Sequence, residues 1–256
     1  MYKESFLMAW ASLIANKMRS ILTMLGIIIG VAAVIALVSI GNGVKQDIQN
    51  SISSLGSNLL MVMPGAPRTP GVRPSAGSMK SLKVSDYEAI SKLDGVKAAS
   101  PMTNGSYVVI YQNKNWTTSV SGVSYNYLDV NNWSMKSGRF LSEKNVQNRE
   151  RVAVVGKTVV KNLFGDEDPV GAEIRVKNIP FRIIGVLNSK GSGAMGNDQD
   201  DMVVIPYTTA MERVEGVDYL RMIYVVGKDE NGIDRLQSDI ENLLRVRHGI
   251  KDTNLD

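Results

Sequence analysis

Residues 21–40 read ILTMLGIIIGVAAVIALVSI, twenty residues from Ile21 to Ile40 without a charge. As a helix rising about 1.5 Å per residue, this run is roughly 30 Å long, the thickness of a bilayer's hydrocarbon core. A secretory signal peptide is the competing reading, with Ser39 and Gly41 as the small residues of a cleavage site. Its apolar region spans only about 7–15 residues. The run here is longer and follows a leader of twenty residues, so an uncleaved membrane anchor is the better account.

The charges flanking the run set its expected direction. Lys3, Lys17 and Arg19 precede it, whereas only Lys45 follows closely, offset by Asp47. Positive residues stay on the cytoplasmic side, so the N-terminus is expected inside and everything after Gly41 outside. Phe6, Trp10, Leu13 and Lys17 recur at helical spacing, with Leu7 and Ile14 nearby. That pattern suits a short amphipathic helix at the cytoplasmic interface, or a plain helical extension of the span. Within the span, Gly26 and Gly30 form a small-xxx-small pair continued by Ala33, a face on which membrane helices approach closely. Gly41 and Gly43 lie where the helix would leave the bilayer, as a tolerated bend or a working hinge.

The rest of the 256 residues has ordinary globular composition, with 44% hydrophobic and 21% charged residues overall. A net charge of +4 without a Lys/Arg cluster interleaved with aromatics gives nucleic-acid binding little support. The absence of cysteine excludes disulfides, thiolate zinc sites and a cysteine nucleophile. With His248 the only histidine, a histidine metal site or a Ser-His-Asp triad would rest entirely on that residue.

After the span, Val44, Ile48, Ile52 and Leu55 share one helical face and Gly56 is placed to end the helix. Leu59 to Met63 reads as a strand, and Pro64 to Lys83, holding four of the eight prolines, as a loop. Ser85 with Glu88 suggests a capping box opening a helix through Leu93. Strands are expected over Val96–Asn113 and Trp116–Val123, around a turn at Asn113-Lys114. More are expected at Arg151–Val155, Ile174–Lys177, Phe181–Leu187, Met202–Ile205 and Leu220–Val226. Helices are expected near Thr158–Phe164 and Tyr207–Val214, and a last one carries Ile233, Leu236, Ile240, Leu243 and Leu244 on one face. The fold class is α+β: an early and a late helix cover one sheet, and a strand-rich middle forms a second lobe.

Several motifs imitate catalytic ones. Gly156-Lys157-Thr158 resembles the end of a phosphate-binding loop, but Arg151 stands where its first glycine belongs and a strand fills the interval. Gly191, Gly193 and Gly196 fit the spacing of a dinucleotide fingerprint, but the acidic run Asn197-Asp198-Gln199-Asp200-Asp201 follows where a helix should receive pyrophosphate. Asp198, Asp200 and Asp201 could ligate calcium, yet the other ligands of an EF-hand loop are missing and capping of turns explains them better. His248 closes the last helix, where a cation suits the dipole. Sequons at Asn104, Asn115 and Asn132 fit chance. No catalytic residue, metal ligand or cofactor is assigned.

The chain resembles, over its whole length, the permease of MacB-type ABC transporters, an FtsX-like class. The resemblance is carried by SFLMAWASLIANKMRSILTMLGIIIGVAAVIALVSIGNGV from Ser5 and by SLGSNLLMVMPG from Ser54. RVAVVGKTVVKNLFG from Arg151, DPVGAEIRVKNIPFRIIGVL from Asp168 and GNDQDDMVVIP from Gly196 add to it. It implies a cytoplasmic leader (1–20), a transmembrane helix (21–41) and an extracytoplasmic two-lobed core domain (42–256) in a bacterial inner membrane. In that domain 42–114 and 216–256 would form a porter-like α/β lobe, with 115–215 inserted as a strand-rich lobe. The implied partners are the lipid bilayer, an ABC ATP-binding subunit, a second permease copy and, as an additional candidate, a periplasmic membrane-fusion (adaptor) protein. The family has three further membrane helices after this domain, so the chain reads as the N-terminal portion of such a permease. Its expected role is non-catalytic, passing ATPase-driven motion outward. The alternatives are a single-span sensor or scaffold with an outer binding domain, and a membrane-tethered hydrolase, for which no nucleophile–base pair stands out.

Overall fold

The computed structural model describes residues 17–55, 58–65, 80–193, 196–229 and 232–249, with Lys3 and Met8 besides. The leader's interfacial face, the C-terminal signal at Gly56 and most of the proline-rich stretch lie outside these residues. Two compact units result, residues 1–51 and 52–256. Helix α1 runs Lys17–Leu55, 39 residues without interruption, and includes Gly41 and Gly43 in its helical course. Its apolar side chains from Ile21 to Ile40 are exposed all round, Leu37 to 72%. The core helix of a soluble protein would bury such residues; a helix apolar on every side and left uncovered is one that asks for lipid.

Beyond the helix the elements alternate. They are β1 (Leu59–Val62), α2 (Val84–Ile90), β2 (Val96–Tyr111), β3 (Lys114–Val123), α3 (Tyr127–Val130), β4 (Met135–Gly138), α4 (Glu143–Gln147) and β5 (Val152–Val155). Then come α5 (Lys157–Leu163), β6 (Glu173–Val176), β7 (Ile179–Leu187), β8 (Met202–Pro206), α6 (Tyr207–Thr209) with a π-turn (Ala210–Glu215), β9 (Met222–Gly227) and α7 (Ile233–His248). The strands form one sheet in the order β1-β9-β2-β3-β8-β5-β7-β4, with β6 joining β2 to β7.

That last pairing closes a circuit. β2 pairs with β3, β3 with β8, β8 with β5, β5 with β7, β7 with β6, and β6 returns to β2 through Val109↔Val176 and Ile110↔Arg175. Six strands thus make a small barrel, whose interior side chains fill it instead of leaving a channel. Val109, Val120, Val155, Phe181, Ile183 and Ile205 pack there, all almost wholly buried. β5 and β8 are buried along their whole length, which is why they read as unbroken apolar runs.

β2 serves both ends of the sheet. Its first part pairs with β9 and its second part, from Met102, with β3. Over the β1-β9-β2 end lie α2 and α7, which enclose a second core containing Ile90, Leu220, Ile223, Val225, Leu236 and Ile240. The apolar face read for the last helix is the one that packs: Leu236 and Ile240 are each 3% exposed, contributing about 1.5–3 kcal/mol apiece.

Several expectations need correction. The β2–β3 turn is Gln112-Asn113, one residue early, with Gln112 at φ 50. The cap of α2 is set by Lys83 and Asp86, not by Ser85 and Glu88: the Lys83 N–H donates to the Asp86 carboxylate at 2.9 Å and the helix ends at Ile90. The helix expected over Tyr207–Val214 is a single α-turn widening into a π-turn, closed by Gly216 at φ 68. Helices α3 and α4 and strand β4 were not anticipated.

Candidate functional site

The places singled out in sequence fall into two groups. In α1, Gly26, Gly30, Gly41 and Gly43 are all exposed, and a methyl group added at any of them would meet nothing within 4 Å. The helix therefore carries a smooth, low-relief surface at Gly26 and Gly30, open to whatever lies beside it.

The imitation motifs come together in the outer unit and hold each other. Gly156 N–H donates to the Met202 carbonyl at 2.9 Å and Thr158 N–H to the Asp200 carbonyl at 3.2 Å. The Thr158 hydroxyl donates to Asp198 at 2.6 Å, leaving no phosphate cradle at this turn. Asp200 is 4% exposed and accepts from the Ser189 hydroxyl, from Lys190 N–H at 2.7 Å and from Gly191 N–H at 3.2 Å. Asp201 accepts from the Trp116 indole N–H at 2.8 Å. The aspartates thus tie residues 189–191 and 198–201 together and onto β3 and α5, the turn-capping role that the sequence favoured. Among the described residues no group of three His, Asp or Glu side chains is placed to hold a metal ion. Lys190, whose ammonium burial pushes below the usual lysine range, donates to the Asn131 carbonyl at 2.6 Å over the Trp133 ring.

His248 is not merely a helix terminus. Its Nε2 lies 2.9 Å from Asp86, and Arg247 Nε donates to the same carboxylate at 2.8 Å. Asp86 is 3% exposed, so a buried carboxylate on α2 clasps the C-terminal end of α7. Sequence reasoning missed it because the partners are 161 and 162 residues apart. Burial pushes the Asp86 carboxyl up, but the bonds from Arg247, Lys83 N–H and His248 outweigh it and hold the group below its usual 3.8. A depressed carboxylate stabilises the fold above its unfolded pKa and loses that contribution as pH falls through the lower folded value. Stability between pH 5 and 2 should accordingly decline more steeply in the native chain than in Asp86→Asn. At pH 7 that variant should be weaker by about 1.5–3 kcal/mol, the worth of hydrogen bonds to a charged group. Parallel pH profiles in urea titrations would remove the clasp as a stabilising element.

Comparisons with known proteins place this architecture. Residues 20–243 match the family described as the MacB-like periplasmic core domain. A protein of Rhodospirillum rubrum named macrolide export ATP-binding/permease protein MacB is 44% identical over 250 residues, covering 97% of this chain and 38% of its own length. Its namesake in Marinobacter nauticus is 39% identical over 251 residues, covering 98% and 38%. The chain thus spans well under half of these curated relatives. Among solved structures, the periplasmic region of MacB from Actinobacillus actinomycetemcomitans superposes with a TM-score of 0.66 at 27% identity, covering 78% of this chain and 89% of that one. The extracellular domain of the noncanonic ABC-type transporter YknZ from Gram-positive bacteria, at 18% identity, shares the fold with a TM-score of 0.63. The chain belongs to the MacB-like periplasmic core domain family.

Proposed function

We propose that residues 1–256 form the N-terminal part of a non-catalytic permease subunit of a MacB-type export complex, which passes ATPase-driven motion from the membrane to the periplasmic side. The observation that carries this reading is α1: one uninterrupted helix, ending at Leu55, whose first part is apolar enough to cross a bilayer and which is followed in sequence by the edge strand β1 from Leu59. A continuous helix transmits displacement along its axis, whereas a flexible joint dissipates it. The cations of the leader favour an N-terminus in the cytoplasm of an inner-membrane protein, with residues after Gly41 outside. The lobes we assign are 42–114 with 216–256, porter-like, and 115–215, inserted, with β2 of the first pairing to β3 of the second. Hydrolysis of ATP would belong to an ATP-binding subunit. A second permease copy would pack on the Gly26–Gly30 face, and a periplasmic adaptor protein would meet the outer domain.

The test uses the intact permease with its ATPase, and macrolide efflux is the first readout because the relatives are named for it. Gly41 and Gly43 each cost the helix up to about 1 kcal/mol relative to alanine. With α1 as a rigid transmitting helix, Gly41→Ala with Gly43→Ala should leave export, assembly and ATP hydrolysis intact; export lost while assembly and ATP hydrolysis persist would make the pair a working hinge. A flexible Gly-Ser insertion after Lys45 should abolish export altogether. Full export with that insertion would remove α1 as the transmitting element. In the same assay Gly26→Leu with Gly30→Leu should lower the yield of assembled dimer, and an unchanged yield would take that face out of the interface.

A further inference from the structure

Along β7 the neighbouring strand changes. Glu173 of β6 stands opposite Arg182, and Gly138 of β4 stands opposite Gly185. Between these points this edge of β7 is held by loop ends, its other edge being paired with β5: Ile183 exchanges bonds with Gly171 and Ala172 at 2.8 Å, and the Ile184 carbonyl accepts from Arg139 N–H at 2.9 Å. Gly138, at φ 71, permits the crossing, because a side chain there would run into the Ile184 carbonyl. The handover leaves a cleft of about 760 Å³, open to solvent.

Val170 supplies apolar surface in this cleft, and Arg139, Arg151 and Arg182 supply its cations, with Glu150 the one acid lining it. Phe181 and Ile183 point into the barrel, so alternation along the strand sends Arg182 outward, where it is exposed. Arg182 N–H donates to the Arg151 carbonyl at 2.9 Å, which fixes those two side by side. Glu150 is already engaged by the amides of Asn145, at 2.7 Å, and Asn148, at 3.4 Å. Among the described residues none of the three guanidinium groups has an ion pair within 4.0 Å, Glu173 included, or a side-chain hydrogen bond. Arg149, Arg221 and Arg247, by contrast, each meet a carboxylate.

The spacing identifies the occupant. Arg151 and Arg139 come from segments on opposite sides of β7, with Arg182 on β7 between them, so the cations are spread over about 10 Å across the strands. The carboxylates of an extended acidic segment spread over a like distance within a few residues. Guanidinium groups grip carboxylates with two parallel bonds, and the apolar surface accepts the intervening stem. A single phosphate would instead need the cations gathered on one point.

We propose that this cleft docks an extended acidic segment of a partner protein, its carboxylates bound by Arg139, Arg151 and Arg182. The inference stands on the cleft alone and does not require the permease reading.

The experiment measures fluorescence anisotropy of a labelled peptide of alternating glutamate and valine on the full chain in uncharged detergent. Saturable binding is expected, weakened by salt, and reduced at least about tenfold in R139Q/R151Q/R182Q, which the loss of even one charge-assisted bond would produce. Arg182→Lys should fall between, keeping charge but losing the fork. Removing three exposed cations elsewhere, in K92Q/K97Q/K114Q, should leave binding intact, and circular dichroism reports that each variant is folded. The proposal is overturned if the peptide does not bind saturably, or if both triple variants lose binding equally and only net charge matters. It is also overturned if inorganic phosphate or phosphatidylglycerol vesicles bind with the arginine dependence that the peptide lacks.

Discussion

Membranes from cells expressing this chain should retain it through alkaline carbonate extraction, and the paired change Ile28→Lys with Ile35→Lys should release it. The magnitudes decide this. The span holds twelve Ile, Leu and Val residues. At roughly −0.3 to −0.6 kcal/mol each for insertion, they supply about −4 to −7 kcal/mol. A lysine near the helix centre costs about 2.5–3.5 kcal/mol, so two of them remove essentially the whole driving force. Both isoleucines are exposed on the helix surface, 63% and 60%, so the substitutions break no contact within the chain. Ile28→Leu with Ile35→Leu keeps the apolarity and should remain membrane-bound. Recovery of the native chain as a soluble form shortened to about Gly41 would show instead that the span is a removable signal.

The elements legible in sequence were those whose burial pattern is local. Val152–Val155 and Met202–Pro206 are apolar at every position because both faces are covered. The last helix showed its buried stripe in the spacing of Leu236 and Ile240. Strand β4 left no such trace: Met135–Gly138 alternates with nothing, its side chains being exposed apart from Met135. Helix α3, four residues long, is shorter than the window in which helical periodicity can be counted. Closure of the barrel rests on Val109 and Ile110 meeting Val176 and Arg175, a pairing that no local signal encodes. The Asp86 clasp and the arginine cleft have the same character, since their members are ordinary charged residues until the fold assembles them.

The imitation motifs teach the converse. Gly156-Lys157-Thr158 and the glycine-rich run ending in Asp198-Gln199-Asp200-Asp201 carry residue types that phosphate and metal sites use, for the same physical reasons. Glycine admits a close approach of backbone, and a short carboxylate gathers N–H groups in a turn. Here both properties are spent inside the protein, where one segment supplies the approach and the other the acceptors. What separates a site from a latch is whether the donors face an open volume, and at Thr158 they face Asp198.

Gly156→Ala should therefore be among the most destabilising single changes in the outer domain. The backbone there, φ −83 and ψ 165, suits any residue, so conformational strain is not the cause. The obstacle is space. An added Cβ would lie well inside contact distance of the Asp200 carbonyl oxygen and 2.9 Å from its carbon, both backbone atoms that cannot swing aside. Relief requires the β5–α5 junction to part from the 198–202 segment, stretching the Gly156–Met202, Thr158–Asp200 and Thr158–Asp198 bonds together. At about 1 kcal/mol for each neutral bond and about 2 for the charged one, with about 1–2 for overpacking, the expected loss is about 5–6 kcal/mol. For a domain of this size that lowers the melting temperature by about 10 °C or more. Gly165→Ala provides the contrast. Its φ of 68 disfavours a side chain, but nothing lies within 4 Å, so it should cost only about 1 kcal/mol. Trp116, bonded to Asp201, gives a fluorescence signal beside the latch. If Gly156→Ala melts within a degree or two of the native chain, or no earlier than Gly165→Ala, the latch contributes nothing to the fold's stability and the close approach at Asp200 is soft.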